Sequence, residues 1–239
     1  MKILKNITVF TMVMLLSVST VLEAREKNIS NFSSSASNLV DSTGTFDGNK
    51  IYADVANNGL FLDYHVSGDS ALEWPKGTGV HSIFQSALWM GATVNGSIRT
   101  IVGDYTQDMG PGPWGGDPLA AVHRIYKVEK SMLASPLDFA DFQEWPVEFG
   151  APWVDVDGDG VYTPLPGGTD HPEFLGDQVL WFVSNDGDPA YKLNFGTSPM
   201  NVEIQTTMFG FDRPDVFGDM VFLKQLVINK GSDDLVDTY

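Results

Sequence analysis

The sequence predicts a mainly β fold: an antiparallel, sandwich-like domain with long loops and one short helix. Three observations predict it. Runs rich in β-branched and aromatic residues recur from Asn57 onward. Clusters of Gly, Asp and Asn separate them as turns. One segment alone carries a helix-start signature.

Taken in order, Gly59-Leu60-Phe61-Leu62-Asp63-Tyr64-His65-Val66 is a candidate strand. Ala87 to Val94, then Asn95-Gly96, then Ser97 to Asp104 reads as a hairpin. Asn-Gly favours a type I′ turn because both residues tolerate positive φ. Asp108 to Pro118 is dense in Gly and Pro and reads as a loop. Val122 to Val128 returns to a strand pattern. Ser135 to Phe142 predicts the helix, with Ser135 as N-cap, Pro136 at the first position and Asp138 in the first turn. Trp145-Pro146 ends it. Gln178 to Val183 is nearly continuously apolar, so this strand is expected to be buried on both faces. In Asn201 to Met208, Val202, Ile204 and Met208 alternate with polar positions, which predicts a half-exposed strand. Met220 to Asn229 reads as a strand and residues 230–234 as a turn. Residues 235–239 restart an alternating pattern, so the chain is expected to be the front of a longer protein.

Lys2 and Lys5 precede an apolar run from Ile7 to Leu22, the pattern of a signal peptide with Ala24 as its last residue. The alternative is a membrane anchor, but the dense apolar core from Val9 to Val18 is short of the roughly 20 residues a span needs. The expected organisation is a signal peptide at 1–24, a flexible leader at 25–56 rich in Ser, Asn, Thr and Gly, and a β-rich domain at 57–239. A possible seam lies near 150–176. Removing residues 1–24 takes away two lysines and one glutamate, so the net charge of −17 becomes −18. Such a chain repels phosphates and anionic lipid, which argues against nucleic acid and membrane partners. No integral membrane segment is expected after signal cleavage. Cys is absent, so an exported domain of this size relies on its core, with or without metal, and not on disulfides.

The stretch Asp155-Val156-Asp157-Gly158-Asp159-Gly160-Val161-Tyr162 carries the clearest chemistry. Calcium takes six to eight oxygens at about 2.4 Å, and alternating carboxylates followed by Gly supply several from one loop. Asp155, Asp157 and Asp159 fit the side-chain ligand positions, Gly160 the turn, and Val161 the backbone-carbonyl ligand. Pro166 occupies the place of the bidentate Glu and the flanks are not helical, so this is no EF-hand. Asp170, Glu173 or Asp177 could supply the missing acidic ligand. The competing reading is an Asp/Gly turn that binds nothing. A second acidic loop, Asn185-Asp186-Gly187-Asp188, could complete that site, form a weaker one, or be an ordinary Asx turn.

Catalytic sets are not evident. His65, His81, His123 and His171 lack zinc-binding spacing, and no nucleophile motif occurs. Asp170-His171 reads as a surface pair. Trp74, Trp114, Trp145 and Trp153 sit beside Pro or Gly in loops, where they could stack on a sugar or pack beneath the loops. Trp89 and Trp181 lie in strand runs and are expected in the core.

The blocks Leu72 to Gly77, Ala87 to Gly96 and Gly176 to Asp186, with Asp155 to Tyr162 between the last two, form a recognisable order. In this order the chain resembles the N-terminal region of large secreted proteins of Bacteroidetes-like and related marine bacteria. Those proteins often end in a type IX secretion sorting domain. The resemblance spans residues 57–239 and implies export, surface display or release, and a β-rich architecture. It carries over no catalytic residue. The expectation is therefore a secreted or cell-surface, calcium-stabilised structural or binding module, with an extracellular glycan or surface protein as partner. The alternative is an extracellular carbohydrate-binding or glycan-hydrolase component.

Overall fold

The computed structural model describes residues 42–61, 63–64, 69–70, 72–103, 108–165 and 170–239. The predicted signal peptide, most of the leader, His65 and Pro166 lie outside these. The described chain is mainly β and its strand pairs are antiparallel. Its one α-helix, Ala140–Gln143, is four residues long, and 3-10 turns supply the remaining helical geometry. No helix among the described residues is long and apolar enough to cross a membrane.

A first sheet is built on Tyr52–Ala56. This strand pairs with Thr43–Phe46 on one side and with both Leu60–Phe61 and Leu72–Glu73 on the other parts of its length. Strands 43–46 and 52–56 fall inside the expected leader, so ordered structure begins earlier than the composition suggested. The reason is visible in the burial: Phe46, Ala53, Val55 and Ala56 are core residues. A short, polar-flanked strand shows too few apolar residues to stand out from a Ser/Gly-rich stretch. The described residues from Ser42 to Tyr239 cluster as one compact unit.

A second sheet is built on Gln178–Asn185, which pairs along its length with Val202–Gly210 and on its other edge with Tyr126–Glu129 and Gly110–Pro111. Phe222–Asn229 adds the outer strand. All eight residues of Gln178–Asn185 are buried, as the apolar run predicts. Alternate side chains point to opposite faces. Leu180 and Phe182 face the first sheet and join Phe46, Val55, Phe61 and Met208 in one cluster. Val179, Trp181 and Val183 face the other way, against Phe142, Trp145 and Ala151 of the loop-and-helix layer. The two sheets thus pack face to face, with a third, irregular layer behind the second sheet.

The hairpin forms as read. Trp89–Val94 pairs with Ser97–Val102 in the register Ser97 to Val94, and Asn95 and Gly96 take φ of 51° and 76°. Its inner face, Ala92, Val94 and Ile101, covers Val202 and Ile204 beside the first sheet. Residue 236 bridges back to Thr93.

Three expectations change. Trp89 is 65% exposed, because the pleat that turns Ala92 and Val94 inward turns Trp89 outward; its Nε1–H donates to the Gly103 carbonyl. Val202–Gly210 is almost wholly buried, because the loop layer covers its polar face: Gln205 donates to Phe149 O and Glu203 is ion-paired with Lys230. The helix begins later than read. Pro136–Asp138 is a 3-10 turn without a Ser135 side-chain cap, and extended Phe139 separates it from the helix.

Phe182→Ala removes a ring between the two sheets and is expected to destabilise the protein by about 3–5 kcal/mol. Trp89→Ala is expected to change stability by about 1 kcal/mol or less. Urea unfolding of both variants checks the contrast.

Candidate metal centre

The acidic loop leaves the third layer at Trp153–Val154 and returns at His171–Pro172. These two-residue strands pair with Val154 opposite His171. That register sets Asp155 and Asp170 side by side at the mouth of the loop. Asp155, Asp157, Asp159 and Asp170 each present a carboxylate oxygen, and these atoms lie within 4.8 Å of one another. The first three are exposed and Asp170 is buried.

The loop is wound on its own carboxylates. Asp155 accepts the N–H groups of Gly158 (2.6 Å) and Gly160 (2.9 Å). Asp157 accepts from Asp159 N–H and Asp159 from Val161 N–H. Gly158 and Gly160 sit at φ of 78° and 76°, a region that side chains with a Cβ rarely adopt. The second oxygens of Asp157 and Asp159 accept no hydrogen bond among the described residues. Asp170 anchors both ends: it accepts Val156 N–H at 2.9 Å and Thr163 N–H at 2.7 Å.

These surroundings act on the two kinds of carboxyl in opposite directions. At Asp157 the Asp159 N–H favours the charged form, yet desolvation and the charges of Asp159, Asp170 and Asp155 together push its carboxyl up. At Asp170 the Thr163 N–H, with Val156 N–H and the Thr163 hydroxyl, holds the carboxyl below its ordinary value. Burial, with the Asp170 charge, pushes the neighbouring Tyr162 phenol far up. Its hydroxyl donates to Phe142 O (2.6 Å), and its ring meets Trp153 edge-on. The loop is thereby tied to the helix and to the cluster behind the second sheet.

Of the three candidate extra ligands, the structure brings in Asp170 alone. Asp177 pairs with Lys130 and accepts Asp212 N–H. Glu173 is outside the four-carboxylate group; its N–H closes the ladder onto Pro152 O. The second acidic loop is an Asx turn: Asn185 accepts Gly187 N–H and Asp188 accepts Ala190 N–H. Its Asp186 is buried against Lys192, together with Asp108. This ionic cluster was not foreseen. Asp186 was visible as a turn residue, but no sequence signal joins Lys192 to Asp108, 84 residues away.

The loop tryptophans divide. Trp145 is buried, and Trp153 packs half-buried beneath the third layer. Trp74 is half-exposed and donates to Asp219. Trp114 lines an open cleft of about 190 Å³ with Gly115, Gly116, Asp188 and Tyr191. Gly187 forms part of its floor, where an added Cβ would stand 2.6 Å from the Trp114 ring.

Comparison with protein families, curated proteins and solved structures finds no match.

The Asp170 shift gives a pH signature. A carboxyl lowered on folding contributes stability above its unfolded value, near 3.8, and loses that contribution as pH falls through the folded value. Asp170→Asn is therefore expected to lower the melting temperature at neutral pH and to flatten its decline below about pH 4. Thermal unfolding across pH 2–7 checks both.

Proposed function

We propose that the chain is a calcium-stabilised structural or binding module of a secreted or cell-surface protein, with no catalytic role. The single observation behind this reading is the convergence of Asp155, Asp157, Asp159 and Asp170. Calcium is the cation that suits an all-oxygen set on a flexible loop. Asp155, Asp157, Asp159 and Asp170 would give side-chain oxygens, Val161 its carbonyl, and water the remainder. Such a cation would relieve the mutual repulsion that raises Asp157. Through Asp170, Tyr162 and Trp153 it would brace the layer behind the second sheet. Export rests on the signal-like N-terminus and the resemblance noted above. An exported chain without Cys would draw from calcium the bracing that others draw from disulfides.

Calcium at about 100 times its dissociation constant is expected to add about 2.7 kcal/mol, or about 5–10 °C in melting temperature. The gain should vanish in Asp157→Ala/Asp159→Ala, and magnesium should not reproduce it. In chelator, Asp157→Asn should melt above wild type, since it removes one of the crowded charges. Differential scanning calorimetry with isothermal titration separates these outcomes; equal calcium responses in wild type and double variant would remove the site.

A second reading, an extracellular glycan-binding component, draws on the Trp114 cleft. A half-exposed indole over a glycine floor beside Asp188 is a surface on which a sugar ring can stack. On a glycan array, binding that is lost in Trp114→Ala would favour it. Trp153 packs within the protein and is not part of this surface.

A further inference from the structure

Lys192 is the least exposed cation among the described salt bridges, its side chain 3% exposed. It stands between two carboxylates that are buried as well: Asp108 Oδ2 at 3.4 Å and Asp186 Oδ2 at 3.8 Å. This group adjoins the apolar cluster of Ile101, Met109, Met200 and Val202. Three stretches of chain fix the geometry. Asp108 follows the hairpin and accepts Val102 N–H on Oδ2 and Asn194 N–H on Oδ1. Asp186 directly follows the central strand and accepts Met200 and Val202 N–H. Lys192 leaves the 3-10 turn Pro189–Tyr191, and its Nζ donates to Thr100 O.

One ammonium between two carboxylates leaves a negative charge unbalanced in an apolar interior, which is costly. The structure relieves this at Asp186, whose carboxyl burial pushes up toward the neutral acid despite the two N–H groups and Lys192. The result is one amino group and two carboxyl groups held together away from water.

We propose that this cluster is a modification site at which Lys192 Nζ and Asp108 Cγ join in an intramolecular amide. An ammonium proton passes to Asp108 Oδ2, which discharges both partners of the pair. The freed Nζ lone pair bonds to Cγ, and negative charge builds on Oδ1, where Asn194 N–H at 2.8 Å stabilises it. Asp186 takes one proton from the nitrogen and passes it to the Oδ2 hydroxyl, which leaves as water. One N–C bond forms, one C–O bond breaks, one water is released, and Asp186 ends as it began. No oxidant, reductant or cofactor enters. Exclusion of water favours the amide over its hydrolysis. The bond would staple residues 84 apart, the kind of cross-link that constrains an unfolded chain, in a protein without a single Cys.

The test is the denatured mass of the full chain after purification, with its N-terminus determined by sequencing. The expected mass is one water, about 18 Da, below the sequence value, with the peptides of Asp108 and Lys192 recovered joined after digestion. Lys192→Arg and Asp186→Ala should carry the full mass while circular dichroism reports a β fold. Folded wild type of full mass would overturn the proposal. So would a loss of water that persists in Lys192→Arg, or fragmentation that places the amide on Asp186. The wild-type measurement decides the matter even if a variant fails to fold.

Discussion

Every residue of Gln178–Asn185 is buried, so this strand must be covered twice. The two covers come from different parts of the chain. The first sheet, residues 43–87, closes over Leu180 and Phe182, where Phe61 and Phe182 meet with ring centres 5.9 Å apart. Residues 126–174 close over Val179, Trp181 and Val183. Both covers dock on the same strand. The strand ends are held by polar contacts. Gln178 exchanges hydrogen bonds with Asp47 and donates to Glu129, which joins first sheet, second sheet and the 126–129 strand at one point. At the other end, Asn185 donates to the Gly112 and Pro113 carbonyls.

The acidic loop is an outgrowth of the second cover. Its base is a ladder of two residues a side, too short to be stable alone. What holds it is the anchoring of Trp153, Tyr162 and Phe174 against the cluster behind the central strand. The coupling runs both ways. A cation that draws the exposed carboxylates together would stiffen the ladder, and a firmer ladder would seat Trp153 and Tyr162 more tightly. A peripheral ion could in this way act on the stability of the whole fold.

Much of this was legible in the sequence, and for identifiable reasons. The hairpin was readable because Asn95-Gly96 demands positive φ at both residues. The central strand was readable because five apolar residues in a row, Val179 to Val183, can satisfy only a two-sided position. The three spaced aspartates were readable because their chemistry is local. What failed was non-local. Alternation shows which residues of Val202–Gly210 share a face, but not that a distant layer covers the polar one. Glu203 is buried because Lys230 and the Trp114 N–H reach it, and neither is a sequence neighbour. Trp89 was placed inside by residue type, whereas the pleat decides by position. Asp170 could be named as a candidate, but the ladder register that selects it over Glu173 and Asp177 is a property of the folded loop.

The placement of carboxylates follows one rule. A carboxylate can leave water only if donors replace it. Asp170, Asp108 and Asp186 are buried, and each accepts two backbone N–H groups. Asp155, Asp157 and Asp159 also accept backbone N–H groups, yet they stay exposed. The difference is crowding. N–H dipoles can compensate one isolated charge, but not three carboxylates within 4.8 Å of a fourth. Such a group must stay in water, take up protons or gather around a cation. The upward push on Asp157 belongs to the protein without that cation. In the interior the same excess was met differently, with a lysine between two aspartates. In a chain of net charge −17, negative charge is abundant, and what decides each site is the supply of compensating positive charge.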